Sequence, residues 1–361
     1  MKNKISPHHV TVIAIVVLII LGLACASSPK TADDELVWDE GLTIGVTRIT
    51  DDGVVKDTLR VSPDGTKLLY AEATKKDSDG YWAWNIVYLR DANNPAKTPL
   101  INDFAFAPSW YEDNIRFLYV SYENRAGRVV RSSTAGGGKT YITRMPIGDS
   151  DNSPIVRNGL IVLSTWMNEK WQLVTVKENG TEPTFVGDGR WPSWHPTENK
   201  VVFIREGKIY EMDIDQGYQV TMLYSDDNFD CYQPSYSPDG KKILFAKGAL
   251  TRVNLTSKKT SKKNENNATL EELERTHIFV MEADGSNLSP ISSGKANVSS
   301  PSWGRNGEIF CMVSISNKPK EIYKLRLRGM EETSQPVTVV QPTTVSEASV
   351  VASDATDFTD E

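Results

Sequence analysis

The feature that most constrains this chain is a phrase that returns six times. Its clearest copy is Pro234-Ser235-Tyr236-Ser237-Pro238-Asp239-Gly240, which leads into the apolar run Ile243-Leu244-Phe245-Ala246. Val61-Ser62-Pro63-Asp64-Gly65 leads likewise into Leu68-Leu69-Tyr70-Ala71. Pro108-Ser109-Trp110, Pro192-Ser193-Trp194 and Pro301-Ser302-Trp303 each precede a similar run, and a weaker copy starts at Pro154. With Leu59 standing for the first proline, the copies start 38 to 49 residues apart, except for one last interval of 67. A period of about 40–50 residues built from short strands is that of a β-propeller blade.

The local chemistry agrees with that reading. Asp-Gly and Asn-Gly form turns, because glycine accepts positive φ and the polar side chain caps the turn. The run after each turn is apolar on both faces, as a strand sandwiched between neighbouring sheets must be. A third strand with more alternation follows, as in Lys208-Ile209-Tyr210-Glu211-Met212 and Glu321-Ile322-Tyr323-Lys324-Leu325. The sixth copy lacks an outer strand of its own, while residues 42–50 form a strand with no hairpin partner. The expected fold is therefore an all-β, six-bladed propeller over 42–326, closed by residues 42–50 completing the last blade. Closure removes exposed sheet edges.

The Ser-Pro-Asp-Gly turn with its apolar strand, together with Ile278-Phe279-Val280-Met281-Glu282-Ala283-Asp284-Gly285, resembles the TolB-like propeller repeats. The resemblance covers about residues 42–326. It implies a rigid platform of the cell envelope that binds another protein. TolB itself carries an additional α/β domain ahead of its propeller. Only 17 residues separate Cys25 from residue 43 here, so that domain is expected to be absent.

The flanks read as an address and a tail. Lys2 and Lys4 precede an apolar run from Val10 to Ala24, the pattern of a secretory signal. The run ends at Gly22-Leu23-Ala24-Cys25, which resembles a bacterial lipobox. This implies cleavage after residue 24 and a diacylglycerol on Cys25, with the outer membrane as the expected destination. An uncleaved signal anchor is the alternative. Residues 25–41 then form a polar tether and 327–361 a disordered acidic tail. Residues 249–276 are an insertion with Lys258, Lys259, Lys262 and Lys263, read as a solvated basic loop.

Other chemistry is sparse. A net charge of −7 argues against nucleic-acid binding. There is no Gly-x-Ser-x-Gly nucleophile elbow. Ala135-Gly136-Gly137-Gly138-Lys139-Thr140 lacks the first glycine of a P-loop and reads as a hairpin turn. His195 occupies a repeat turn, and no histidine pair has metal-ligand spacing. Cys231 and Cys311 are either paired or buried as free thiols. Asp149, Asp151, Asp226, Asp227 and Asp230 precede innermost strands and are candidates for binding a cation or cationic peptide at the channel mouth. Trp110, Trp194 and Trp303 recur in register and are expected to pack. Tyr81, Trp82 and Trp84 form a candidate partner surface.

These readings predict a monomeric, non-enzymatic scaffold that binds an unidentified envelope protein and meets the membrane through Cys25. No cofactor or metal is expected. The alternatives are a lipoprotein that binds a small ligand, sugar or peptide at the channel mouth and, further off, a hydrolase or lyase.

Overall fold

The computed structural model describes residues 36–76, 82–89, 96–102, 104–122, 126–249, 275–316 and 318–330. Every regular element among them is a strand. Six four-stranded antiparallel sheets are arranged as the blades of a propeller. Their innermost strands are Val55–Val61, Ala105–Trp110, Ser150–Arg157, Arg190–Trp194, Phe229–Tyr236 and Asn297–Trp303. The signal segment, Cys25, Tyr81, residues 250–274 of the insertion and the acidic tail lie outside the described residues.

Closure is as expected. Thr43–Arg48 pairs antiparallel with Glu321–Leu327, Thr43 facing Leu327 and Arg48 facing Tyr323. The sixth blade thus takes its outer strand from the start of the ring and its other three from the end. Leu36–Trp38, read from sequence as the end of a tether, instead pairs with Ser292–Gly294 at the crossover between the fifth and sixth blades. Leu36 and Trp38 both pack against the core there. Two apolar side chains at a spacing of two were enough to place this segment on the ring.

The second strand of each blade is buried throughout its apolar run. Leu68 to Ala71, Phe117 to Val120, Ile243 to Ala246 and Ile309 to Met312 are all at most 1 % exposed. Successive side chains point to opposite faces, so burial on both faces means that each sheet is covered by both neighbours. The core is consequently six inter-blade clusters rather than one mass.

The repeat turns explain their own sequence. Ser62 Oγ donates to Asp64 Oδ1 at 2.6 Å and accepts from the Lys67 amide at 2.9 Å. Ser237 repeats both bonds with Asp239 and Lys242. In the His195 copy, Nδ1 accepts from the Thr197 and Glu198 amides at 3.3 and 3.0 Å. His195 therefore does the serine's structural work. Its ring also abuts Gly240 of the next blade, where a Cβ would fall 2.3 Å from Nε2 and φ is +73°. Two of the three recurrent tryptophans brace neighbouring blades through their indole N–H: Trp110 Nε1 donates to the Arg60 carbonyl at 3.2 Å, and Trp303 Nε1 to that of Ser235 at 3.1 Å, whereas Trp194 Nε1 has no partner among the described residues. Cys231 and Cys311 are both buried free thiols. Burial pushes the Cys231 thiol up to about 12.

Candidate functional site: the channel mouth

The same irregularity interrupts all six innermost strands. Register against the second strand slips between Asp57 and Arg60, Phe106 and Ser109, Asn152 and Ile155, Arg190 and Ser193, Tyr232 and Ser235, and Ser299 and Ser302. Each bulge centres on a non-glycine residue with φ of 46–53°: Thr58, Ala107, Ser153, Trp191, Gln233 and Ser300. Such backbone costs about 1–3 kcal/mol per residue and persists only where the surroundings hold it. Each of these residues immediately precedes the first residue of a repeat copy. The bulge bends the strand and re-aims its side chains.

The bulges surround a cavity of about 420 Å³. Asp57, Thr58, Phe106, Ala107, Asn152, Ser153, Trp191, Tyr232, Gln233 and Ser299 line it from the innermost strands. Arg60, Thr276, Asn297 and Lys320 complete its polar wall. Thr276 opens the third strand of its blade and Lys320 just precedes one, so the cavity lies at the end of the ring where innermost strands begin.

Its electrostatics are uneven. Asp57 is engaged by Lys320 at 3.5 Å. The Arg60 guanidinium has only one hydrogen bond among the described residues, from Nη1 to the Leu59 carbonyl at 2.8 Å. Burial pulls its pKa down to about 10, with Asp57 opposing the shift. Arg190 sits over the Trp191 ring, 3.9 Å from its centroid, and burial lowers its pKa too. Trp191 in turn meets Tyr232 at 5.8 Å between centroids.

The five carboxylates singled out from sequence are not brought to one place. None is among the residues lining the cavity. Asp149 and Asp227 are exposed. Asp226 accepts from Lys247 Nζ at 2.8 Å and from the Asn228 amide at 2.9 Å. Those bonds hold its pKa below the ordinary carboxylate range. Asp230 is buried against Gly207, where a Cβ would meet its Oδ1. Asp151 is fully buried between the second and third blades. Its Oδ1 accepts from the Ile147 amide at 2.9 Å, Oδ2 has no partner within hydrogen-bond reach, and burial raises its pKa. No group of three metal-capable side chains occurs among the described residues. Trp84 is half-buried against the core of the first two blades, and Trp82 lies on the same strand. The glycine-rich 135–140 segment is the hairpin connection between Arg128–Ser133 and Thr140–Tyr141.

Sequence reasoning missed the residues that line the channel, yet a signal was present. The position after the repeat proline is serine in four copies (Ser109, Ser193, Ser235, Ser302) and Ile155 in a fifth. Arg60 is the one charge in that series. The position before the proline, where a pattern search sees noise, is the bulge itself.

No protein-family description matches the chain, and no curated protein matches it in sequence. Among solved structures, similarity extends to TolB from Agrobacterium tumefaciens, with 13 % identity, 79 % of this chain and 98 % of that one covered, and a TM-score of 0.54. A gluconolactonase from Xanthomonas campestris is 11 % identical over 81 % and 97 % of the two chains, with a TM-score of 0.53. Regucalcin from Agrobacterium tumefaciens, a calcium-binding protein, is 11 % identical over 82 % and 96 %, also with a TM-score of 0.53. Strand order, closure and these likenesses agree on the architecture: this chain folds as a six-bladed β-propeller, the fold it shares with TolB.

Proposed function

We propose that this chain is a non-enzymatic binding platform of the bacterial cell envelope that holds a partner protein at its channel mouth. In this reading lipidated Cys25 attaches it to the outer membrane. The observation that carries the proposal is the contrast within the bulges. Their backbone is repeated six times, whereas their side chains are Thr, Ala, Ser, Trp, Gln and Ser. Strain held at every blade while the chemistry varies is what a built recognition surface requires. The acid–base content of the mouth favours binding over turnover. Asp57 is its one carboxylate among the described residues, it is salt-bridged, and neither histidine nor cysteine lines the wall.

The alternative, a small ligand, sugar or peptide in the same cavity, is favoured by its size. A volume of 420 Å³ falls within the roughly 300–1,000 Å³ usual for ligand pockets.

The test is crosslinking in cells followed by co-purification with the intact chain, Cys25→Ala and Ser153→Trp. Trp191 occupies the equivalent bulge in the next blade with φ of 53°, so a tryptophan is compatible with that backbone at position 153. One envelope protein should be retained by the first two chains and lost with Ser153→Trp. Equal retention by all three would place the partner elsewhere on the ring, and no retained protein would leave the small-ligand reading.

A further inference from the structure

The polar groups at the channel mouth are predominantly donors. Three side-chain amides line the cavity, and in two of them a backbone donor already occupies the oxygen. Asn152 Oδ1 accepts from the Ser153 amide at 2.6 Å and its hydroxyl at 3.1 Å. Gln233 Oε1 accepts from the Ser300 amide at 2.9 Å. The Asn297 amide meets the Thr276 hydroxyl, which also bonds the Val298 carbonyl. Because backbone donors fix the oxygen end in Asn152 and Gln233, each of their NH₂ groups is left without a partner among the described residues. Ser299 Oγ also lines the cavity and has no partner. To these are added the guanidinium of Arg60, which makes no salt bridge among the described residues, and the ammonium of Lys320. The one carboxylate, Asp57, is opposite Lys320 rather than Arg60.

We propose that the channel mouth is a carboxylate-binding site, with Arg60 as its anion anchor and the Asn152 and Gln233 amides donating to the ligand's other acceptors. The proposal deepens the binding-platform reading and rests on it for the location of the site. A guanidinium held in a cleft by one backbone carbonyl forfeits hydration with little compensation, and a carboxylate offsets that loss through two parallel N–H···O bonds in the geometry of the guanidinium fork. Asp57 and Lys320 cancel, so the mouth carries one net positive charge, which a single carboxylate neutralises. The desolvation that lowers the Arg60 pKa is the same one that strengthens its attraction for an anion. The carboxylate can come from a partner's acidic side chain, from a free organic acid, or from this chain's own acidic end, Asp357-Phe358-Thr359-Asp360-Glu361.

Titration calorimetry on the full chain with succinate and with its neutral diamide, succinamide, tests the chemistry. Succinate should bind and succinamide should not. Arg60→Gln should weaken succinate at least tenfold. Gln233→Glu keeps an acceptor for the Ser300 amide while replacing the free NH₂ with an oxygen. It should weaken succinate at least fivefold, which keeps the test valid should Arg60→Gln fold poorly. A chain ending at residue 330 separates the sources: binding seen only after truncation would assign the site to the chain's own tail, and unchanged binding to an external acid. Succinamide binding as tightly as succinate, or both variants binding succinate like the parent, would overturn the proposal. Loss of the carboxylate site with partner retention intact would leave the platform reading standing, and the reverse result would separate them in the other direction.

Discussion

Two adjacent junctions of the ring each bury an apolar cluster, but the second adds buried charge to it. Between the fifth and sixth blades the interface is apolar: Ile278, Val298, Ile309, Val313 and Leu325 are buried together, and the Leu36–Trp38 strand lies over them. Between the sixth and first blades, where the two ends of the ring meet, charges are buried. Lys56 is fully buried and bonds Glu321 at 3.0 Å, and it also contacts Asp52. Glu321 further accepts from the Thr50 hydroxyl at 2.5 Å and the Gly53 amide at 2.9 Å. Lys97 links Asp52 at 3.0 Å to Glu72 at 2.9 Å. Three other blades place Ala105, Cys231 or Val298 where the first places Lys56, and the third places the buried Asp151. Apolar packing is tolerant of register, whereas a hydrogen-bonded ion pair is not. The comparison suggests the hypothesis that closure uses charge to select one seating of the outer strand, at little net gain in stability.

Among the largest expected effects is that of breaking that pair on one side. Lys56→Met removes the buried cation from Glu321, leaving it Thr50, Gly53 and, at 3.6 Å, the half-exposed Arg48, and should cost about 3 kcal/mol in denaturant unfolding. Lys56→Met with Glu321→Gln, which keeps an acceptor for Gly53, should recover most of the loss. If the double variant were no more stable than the single one, the pair would be a source of stability rather than of register. At the apolar junction, Ile278→Ala should cost about 2–5 kcal/mol with no such rescue, because the loss there is burial and a cavity. Trp38→Ala should cost about 1 kcal/mol, since the side chain is only partly buried. Its mark should be faster hydrogen exchange of the Asp39 amide, which bonds the Ile291 carbonyl at 3.0 Å.

The smallest effects are those of pH, and they have opposite signs at two carboxyls. Burial alone would raise the Asp52 pKa, but hydrogen bonds from Lys56 and Lys97 outweigh it and hold it at about 2. Its contribution is present above the ordinary 3.8 and is lost as pH falls from there through 2. Asp52→Asn should therefore destabilise at pH 7, with the difference closing towards pH 2. Asp151 is raised by burial, so its contribution is greatest below 3.8 and declines as pH rises. Asp151→Asn should stabilise at pH 7, with the gain disappearing in acid. Unfolding curves across this range that show both variants shifting in the same direction would contradict the contrast.

The legible parts of the fold were those written locally. Ser62, Asp64 and Gly65 lie within one turn, so their bonds are visible in five residues. Thr43–Arg48 was recognisable as a closing strand because it has no hairpin partner of its own while the sixth copy lacks an outer strand. The closure pair was not legible, because Lys56 and Glu321 are 265 positions apart and nothing local to either names its partner. The channel wall was hidden for another reason. Repeat detection weights what recurs, whereas the lining resides in what does not: Arg60 among serines and Trp191 beside a proline. The carboxylates read as a cluster share a position in the repeat but belong to different blades, and Asp226 and Asp151 are bound within their own blades or junctions.

The most direct test of the central claim, that the bulged channel mouth is the binding surface, is photo-crosslinking in living cells. A photoreactive residue at Thr58 reports from the cavity wall. One at Ser286, exposed in the turn after the third strand of the fifth blade, reports from the opposite end of the ring. The account predicts one recurrent adduct from position 58 and none from 286. An adduct from 286 alone would contradict it.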